Sequence, residues 1–491
     1  GFARWLVKSA RPVSLPETDE PFRNMISILT RDAWKPPNRR NVADNILKLS
    51  TSGQVRVQVW FSNMVMDGVK PSMAGDIWSH KGCSLMGICM YGINSNWVLD
   101  EWLVAATPFG TTRHTGKAID DVTVEALQRQ GIKWREGGTV YEALHGKVSD
   151  NASNMVKGWT GFDGGFCADH TIELSVKCFT GANGVKQTFA RAKGIVAYFH
   201  RSTAGIQDLG VIQKQLGLPI KKPVQDVATR WFSSYMMAEW FLEQREAVQM
   251  YDVKFGSEAA KNDAYKDNRL THADWTILEQ SMAVLAPCAQ ATKHLEGTNY
   301  VTISIVLPYL YRLIDGTADG PLRLPHKETG QQWLRVGQID HQVRHARQLL
   351  HEDFKRRWID ELPIAQRETL DMCTLLDPRF KGYNFPGLAP GTNLDFEREH
   401  AISLLRRVWG NEWKTHSAAP AAGTSSAPRE KPSKKLTPAA GRQAASSFFS
   451  TPLVPDEPLD EPDDGDVATT DELERYFMLH AEKNMDLDVL A

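Results

Sequence analysis

The sequence predicts an α/β unit followed by a long all-helical block, with a disordered segment near the C-terminus. Three observations predict it. Between residues 72 and about 180, short apolar runs and polar turns follow one another in the order strand, hairpin, helix, strand. From 181 to 415 the apolar residues fall at helical spacing, and the breaks coincide with Pro or Gly clusters. Residues 416–468 are rich in Ala, Pro, Ser and Thr, with almost no aromatic content after Phe449.

Residues 1–70 carry helical periodicities at Ile26 and Leu29 and again at Ile46 and Leu49, interrupted at Pro36-Pro37, and predict a helical lead-in. The α/β unit spans 71–180. Within it, 84–91 and 97–105 are apolar runs joined by Gly-Ile-Asn-Ser-Asn, which predicts a hairpin. A helix is predicted over 112–131 from Ile119, Val122 and Ala126, with Gly131 as its stop. Val148 then leads a short strand into Ser149-Asp150.

The helical block, 181–415, has amphipathic stretches at 186–217, 232–253, 273–295, 301–315, 332–360, 364–375 and 397–413. No fixed period marks it as a solenoid. The segment 416–468 is basic around Lys431 to Lys435, then acidic from Asp456 to Asp466. A short helix over 471–479, with Leu473, Tyr476 and Phe477 on one side, opens the final stretch, 469–491.

The bulk properties exclude little. The 57 basic residues nearly balance 59 acidic ones, so a nucleic-acid surface would have to be a local patch. Six cysteines lie scattered without a Cys-x-x-Cys, which fits a reducing compartment. No apolar run reaches the roughly eighteen residues of a membrane span, and the start lacks the pattern of a secretory signal, so no membrane association is expected. The first residue, Gly1, stands inside what reads as folded sequence, and a fragment or clone boundary is expected there.

Asp76 and Asp150 are the candidate metal pair. Two carboxylates at the ends of neighbouring strands can hold Mg²⁺ or Mn²⁺ for phosphodiester chemistry, and the metal would relieve their mutual repulsion. The plainer alternative is that Asp76 caps a strand end and Asp150 caps a helix starting near Ala152. Cys167-Ala-Asp-His170 supplies only two ligands with no second pair at finger spacing, so no structural zinc is expected. His170 can instead face a phosphate, or simply pack. Arg230-Trp231 pairs a phosphate-gripping guanidinium with an indole able to stack on an unpaired base, yet Trp231 also opens a core-like run with Met236, Met237, Trp240 and Phe241.

In order and spacing, Gly75 to Ser79 (Gly-Asp-Ile-Trp-Ser), Ser149 to Met155, Phe166 to His170, Asp226 to Tyr235 and Leu375 to Lys381 (Leu-Leu-Asp-Pro-Arg-Phe-Lys) resemble hAT-superfamily DNA transposases, over roughly residues 20 to 480. The resemblance implies an RNase H-like sheet interrupted after its fifth strand by a large helical insertion. It makes Asp76 and Asp150 the first two ligands of Mg²⁺ or Mn²⁺ and His170 a phosphate-proximal residue. Trp231 would be the ring that stacks on a flipped base, with Arg230 beside it on DNA. It also implies a nuclear protein that binds DNA and forms a homodimer.

Departures from the family pattern are specific. Its third acid lies in a Ser-Glu-Arg motif on a helix returning to the sheet, and this sequence contains none. Asp471 to Phe477 resembles the opening of the dimerisation region, without the later Trp-Trp and Ser-Glu-Arg elements. No BED-type finger precedes residue 70. The expectation is a transposase-derived protein, inactive as given because the acidic triad is incomplete. The alternative is a domesticated, non-catalytic nuclear factor that binds DNA or protein, with the Lys-Lys segment as an import signal. A nuclease acting on RNA hybrids would need acids closer together in sequence.

Overall fold

In the computed structural model the described residues are 2–413, apart from short stretches of which 325–332 and 386–393 are the longest, together with 472–478. The segment 416–468, expected to be disordered, lies outside them. The chain divides into two compact units, Gly1–Gly165 and Phe166–Ala491.

The first unit opens with helices α1 (Phe2–Lys8), α2 (Leu15–Thr18), α3 (Glu20–Thr30) and α4 (Arg39–Met66). Asn38 starts α4 by accepting the backbone N–H of Asn41 at 2.8 Å. The helix buries Val57, Trp60, Phe61 and Met64 in the core beneath the sheet, and the Trp60 indole donates to Asp100 at 3.1 Å. A division expected after residue 70 is therefore not where the fold divides: this helix buries Val57, Trp60, Phe61 and Met64 against the strands that follow it.

Those strands are β1 (Ser72–His80), β2 (Cys83–Ile93) and β3 (Leu99–Pro108). After them come α5 (Gly116–Arg129), a small hairpin of β4 (Arg135–Glu136) and β5 (Thr139–Val140), then β6 (Lys147–Ser149), α6 (Ser153–Gly158) and β7 (Gly164–Phe166). The main sheet is five-stranded and ordered β3-β2-β1-β6-β7, with β1 antiparallel to β2, β2 antiparallel to β3, and β1 parallel to β6.

The predicted hairpin is β2–β3. Its turn is organised by Asn94, whose side chain accepts the N–H groups of Asn96 and Val98 at 3.0 and 3.2 Å. The predicted helix is α5, started by the Thr115 hydroxyl and stopped before Gly131, whose φ of +69° suits a residue without a side chain.

One face of the sheet is apolar and covered. Met73, Met86, Ile88, Met90 and Val104 point into it and meet α4 and the Ile119, Ala126 and Leu127 side of α5. Trp159, immediately after α6, is fully buried on the same side and donates its indole N–H to Thr123 at 2.9 Å. Its six-membered ring rests on Gly75, where a Cβ would come within 2.3 Å of Cη2. Gly158 meets Ile119 in the same manner, with a Cβ falling 2.7 Å from Cγ2. The opposite face carries Asp76, Trp78, Val148 and Leu103, all exposed.

The second unit is helical: α7 (Ala168–Gly181), α8 (Asn183–Arg201), α9 (Thr203–Gln215), α10 (Trp231–Glu243), α11 (Arg245–Ala259), α12 (Asp263–Lys266), α13 (His272–Leu295) and α14 (Ile303–Thr317). A small hairpin of β8 (Leu322–Arg323) and β9 (Trp333–Leu334) precedes α15 (His341–Lys355), α16 (Ile364–Leu375), α17 (Leu394–Val408) and α18 (Glu472–Met478).

Two stretches expected as single helices are each broken. Ser202 accepts the Gly205 N–H at 3.0 Å and starts α9 afresh. Gln244, fully buried between α10 and α11, is held by Gln213 at 3.0 Å. Helix α7, which the sequence assigned to the α/β unit, belongs here, since Ile172, Val176 and Phe179 enter the helical core.

Two polar knots fix this unit. Asp274, in a capping box with Thr271, also accepts from Thr188 at 2.8 Å and Arg191 at 2.6 Å, tying α13 to α8. Asp377 in the Leu-Asp-Pro-Arg-Phe-Lys turn is buried against Arg379 at 2.6 Å and Ser304 of α14 at 2.7 Å. The same turn receives α18: Lys381 donates to the Tyr476 carbonyl at 3.1 Å, Tyr476 donates to the Leu375 carbonyl at 3.1 Å, and Arg406 grips Glu474 at 2.7 and 2.8 Å.

Asp169, in the first turn of α7, has one carboxylate oxygen buried without a hydrogen-bond partner among the described residues. Burial raises its pKa to about 6, and the neighbouring carboxylates Glu296 and Glu173 add to the rise.

Two outcomes follow for stability. Gly75→Ala forces the new methyl into the Trp159 ring and is expected to cost ~1–3 kcal/mol. Trp159→Phe, which shortens the ring, should recover part of that loss in the double variant, as measured by urea denaturation of the single and double variants. Because the folded-state pKa of Asp169 lies above its ordinary value, its contribution to stability is fully present below about pH 4 and lost as pH rises through about 6. The stability of Asp169→Asn relative to wild type should therefore climb across pH 4–6 by at most about 3 kcal/mol and stay level above pH 7. A pH series of denaturation midpoints checks both the sign and the window.

Candidate metal and nucleic-acid site

Asp76 stands in the middle of β1, paired with Gly87 of β2, and not at the strand end expected of a cap. Its position is terminal only in the parallel pairing with β6, whose last partners are Gly75 and Ser149. Asp76 and Asp150 are each one residue beyond that pair. Val148 is exposed and Ser149 buried, so strand alternation carried one residue further turns Asp150 to the same open face as Asp76. Neighbouring strands are about 4.8 Å apart.

Local bonds orient each acid. Asp76 accepts the N–H of Ile77 at 2.7 Å, and Asp150 accepts the N–H of Ala152 at 3.3 Å in a short turn. Asp150 is not the cap of α6: that position is Ala152, with no side-chain bond. Asn154 donates to the His114 carbonyl at 3.1 Å and ties the start of α6 to the segment before α5. Arg113, Lys117 and Lys157 are exposed where α5 and α6 meet, and a Cβ on Gly116 would lie 2.7 Å from the Lys157 Cβ. Of these cations, Lys157 lies on the short helix that follows the second acid.

Among the described residues, no three His, Cys, Asp or Glu side chains converge closely enough to hold a metal ion. The two aspartates are a pair. Mg²⁺ is commonly held by one or two carboxylates, with water and phosphate oxygens completing its shell, so the pair fits a cation shared with a phosphate.

The other predicted residues lie in the second unit. His170 is half-buried in the first turn of α7, with Nδ1 3.8 Å from the Glu173 carboxylate, and Glu173 also pairs with Lys177 at 2.9 Å. The Cys167 carbonyl accepts the Thr171 N–H at 3.0 Å and its hydroxyl at 2.9 Å, which starts α7. Arg230 is the exposed residue just before α10. Trp231 is 7% exposed and packed edge-on against Phe232 and Tyr235, with ring centroids at 5.8 and 6.3 Å. Its ring is a core element, the plainer of the two readings. In the same motif, Asp226 accepts from Ser233 at 3.0 Å, Ser234 at 2.5 Å and Lys193 at 2.7 Å, pinning the preceding loop onto α10.

One residue beside the acids escaped the sequence reading. Trp78 is two positions beyond Asp76 on β1, on the same face, and 43% exposed. Strand alternation within Asp-Ile-Trp was the signal that would have found it.

The family described as the ZBED1 RNase-like helical domain matches residues 165–283, which begin where the helical unit begins. The chain is 24% identical to human zinc finger BED domain-containing protein 4 over 45% of its length and 19% of that relative's. It is 24% identical to mouse zinc finger BED domain-containing protein 6, over 60% of the chain and 29% of the relative. It is 21% identical to the putative transcriptional regulator tpeD of Talaromyces stipitatus, over 62% of the chain and 38% of that protein. The matches thus span well under half of each relative. The helical-domain match and the BED-protein relatives support a transposase-like protein of the hAT/BED type.

Proposed function

We propose that this is a transposase-derived, DNA-binding nuclear protein in which Asp76 and Asp150 hold a divalent cation against a DNA phosphate without cutting the strand. The observation that supports the reading is the register of β1 and β6, in which Gly75 pairs with Ser149, the residues just before the two acids. Five strands of mixed direction followed by a helical unit are what an RNase H-like sheet with a helical insertion requires. Mg²⁺ or Mn²⁺, when bound, would polarise a phosphate oxygen.

Arg113, Lys117 and Lys157 would offset phosphate charge beside the pair. Arg230 is exposed, and its guanidinium has no hydrogen bond or ion pair among the described residues, which suits a further phosphate contact. His170 keeps the phosphate-proximal role implied by the family resemblance. Trp231, being buried, would serve α10 by packing. Binding without cutting is part of the proposal, supported by the lack, among the described residues, of a group of three His, Cys, Asp or Glu side chains able to hold a metal ion. A non-catalytic regulatory role is also consistent with tpeD, a relative named as a putative transcriptional regulator. A homodimer belongs to the proposal, and light scattering on the purified chain tests it.

In a Mn²⁺ titration followed by electron paramagnetic resonance, Asp76→Asn and Asp150→Asn should each weaken binding by at least about tenfold, since each removes one of two hard oxygen ligands. Supercoiled plasmid incubated with the wild-type chain and Mn²⁺ should remain intact. Nicking that disappears in Asp150→Asn would overturn the non-cutting reading and restore a nuclease. Unchanged Mn²⁺ affinity in both variants would remove the metal site.

A further inference from the structure

We infer that Trp78 is the ring on which an unpaired nucleobase stacks beside Asp76. The inference rests on the reading that the open face of the sheet meets nucleic acid, and it deepens that reading by naming a residue and a single-stranded ligand.

The argument starts from the strand. Residues two apart on β1 share a face and are about 7 Å apart, so Trp78 is the next side chain after Asp76 on the side that bears the acids. Across the antiparallel pair, Asp76 faces Gly87 and Trp78 faces Leu85. The indole does not stand straight out from its own strand. It leans back over Gly87, where a Cβ would come within 2.7 Å of Cζ3 and 3.1 Å of Cη2. One side of the ring is seated on bare backbone directly opposite Asp76.

With 43% of Trp78 exposed, the ring has surface left to offer, and the neighbours on this face include the half-buried Leu85 and Cys89 and the exposed Leu103. A flat, apolar, π-rich surface beside a carboxylate pair suits a base whose phosphate reaches the cation. Base stacking is sequence-tolerant, because every base has a π-face.

Three other described tryptophans lack this arrangement. Trp231, the ring the sequence suggested for stacking, is 7% exposed and walled in by Phe232 and Tyr235. Trp97 is 68% exposed but sits in the turn between β2 and β3, and Trp333 is in the β8–β9 hairpin of the other unit. Gly87 is what distinguishes Trp78: any larger residue there would lift the ring from its seat.

The test uses the whole chain and a short single-stranded oligonucleotide carrying one 2-aminopurine, read by anisotropy and by 2-aminopurine fluorescence, with its duplex as control. Trp78→Leu keeps an apolar side chain but removes the π-face, and should weaken single-strand binding by about 5- to 100-fold with loss of quenching. Trp78→Tyr should retain most of both signals. Gly87→Ala, which dislodges the ring without changing it, should also reduce quenching. Wild-type affinity and quenching in Trp78→Leu would overturn the inference, as would an equal loss for single strand and duplex. Asp76→Asn separates the two readings. Unchanged Mn²⁺ affinity in Asp76→Asn, with quenching that still depends on Trp78, leaves the stacking ring and removes the metal. Weakened Mn²⁺ affinity in that variant, with Trp78→Leu behaving as wild type, does the reverse.

Discussion

The seating of Trp159 on Gly75 decides where the two carboxylates stand. The indole fills the covered side of the sheet directly behind the residue before Asp76, and its N–H is fixed to Thr123 of α5. Because α6 ends at Gly158, the same contact holds the segment that begins with Asp150. A glycine on β1, a tryptophan after α6 and a glycine against Ile119 therefore act as one joint. Dispersion and apolar burial lock the covered face, and the open face is left with charged and aromatic side chains at fixed spacing. Loosening that joint would shift β6 against β1, and a one-residue slip would turn Asp150 away from Asp76.

The helical unit is organised by a different balance. Its core is large and apolar, yet buried carboxylates sit at the points where helices meet. Asp274 joins α13 to α8, and Asp377 joins the turn after α16 to α14. Each is surrounded by donors, which removes the penalty of burying a charge alone. Asp169 is the exception. With an oxygen left unpaired and two carboxylates nearby, it favours its protonated form, and the start of α7 becomes sensitive to mildly acidic pH. The C-terminal helix α18 is held at the Asp377 turn by side-chain to carbonyl bonds, so the Leu-Asp-Pro-Arg-Phe-Lys motif is a joint between elements distant in sequence.

Local chemistry was legible in the sequence. The β2–β3 hairpin, the stop of α5 at Gly131 and the short terminal helix all follow from periodicity and turn residues, which act over a few positions. What depended on tertiary partners was not. Helix α4 reads as a detached lead-in until the strands that cover Trp60 and Met64 are in place. Helix α7 follows the Cys-x-x-His motif so closely that it was assigned to the sheet, although Ile172, Val176 and Phe179 pack among helices. Spacing makes Asp76 a strand-end residue, because it cannot reveal that the antiparallel pairing with β2 carries β1 on to His80. Trp231 could be a core ring or a stacking ring on sequence alone, and burial favours the core. Trp78 was visible all along, but its value comes from Gly87 on the neighbouring strand, a relation set by register.

These pieces make the sheet a one-sided platform: packed below by α4, α5 and Trp159, and open above with two acids and an indole. On the proposed reading, Asp76 and Asp150 act together on one divalent cation. The most direct measurement is anomalous diffraction from crystals of the chain soaked with Mn²⁺. The account predicts one strong peak bridged by both carboxylates, with oxygens at about 2.0–2.2 Å. No peak at the pair, or Mn²⁺ bound by either aspartate alone, would contradict it.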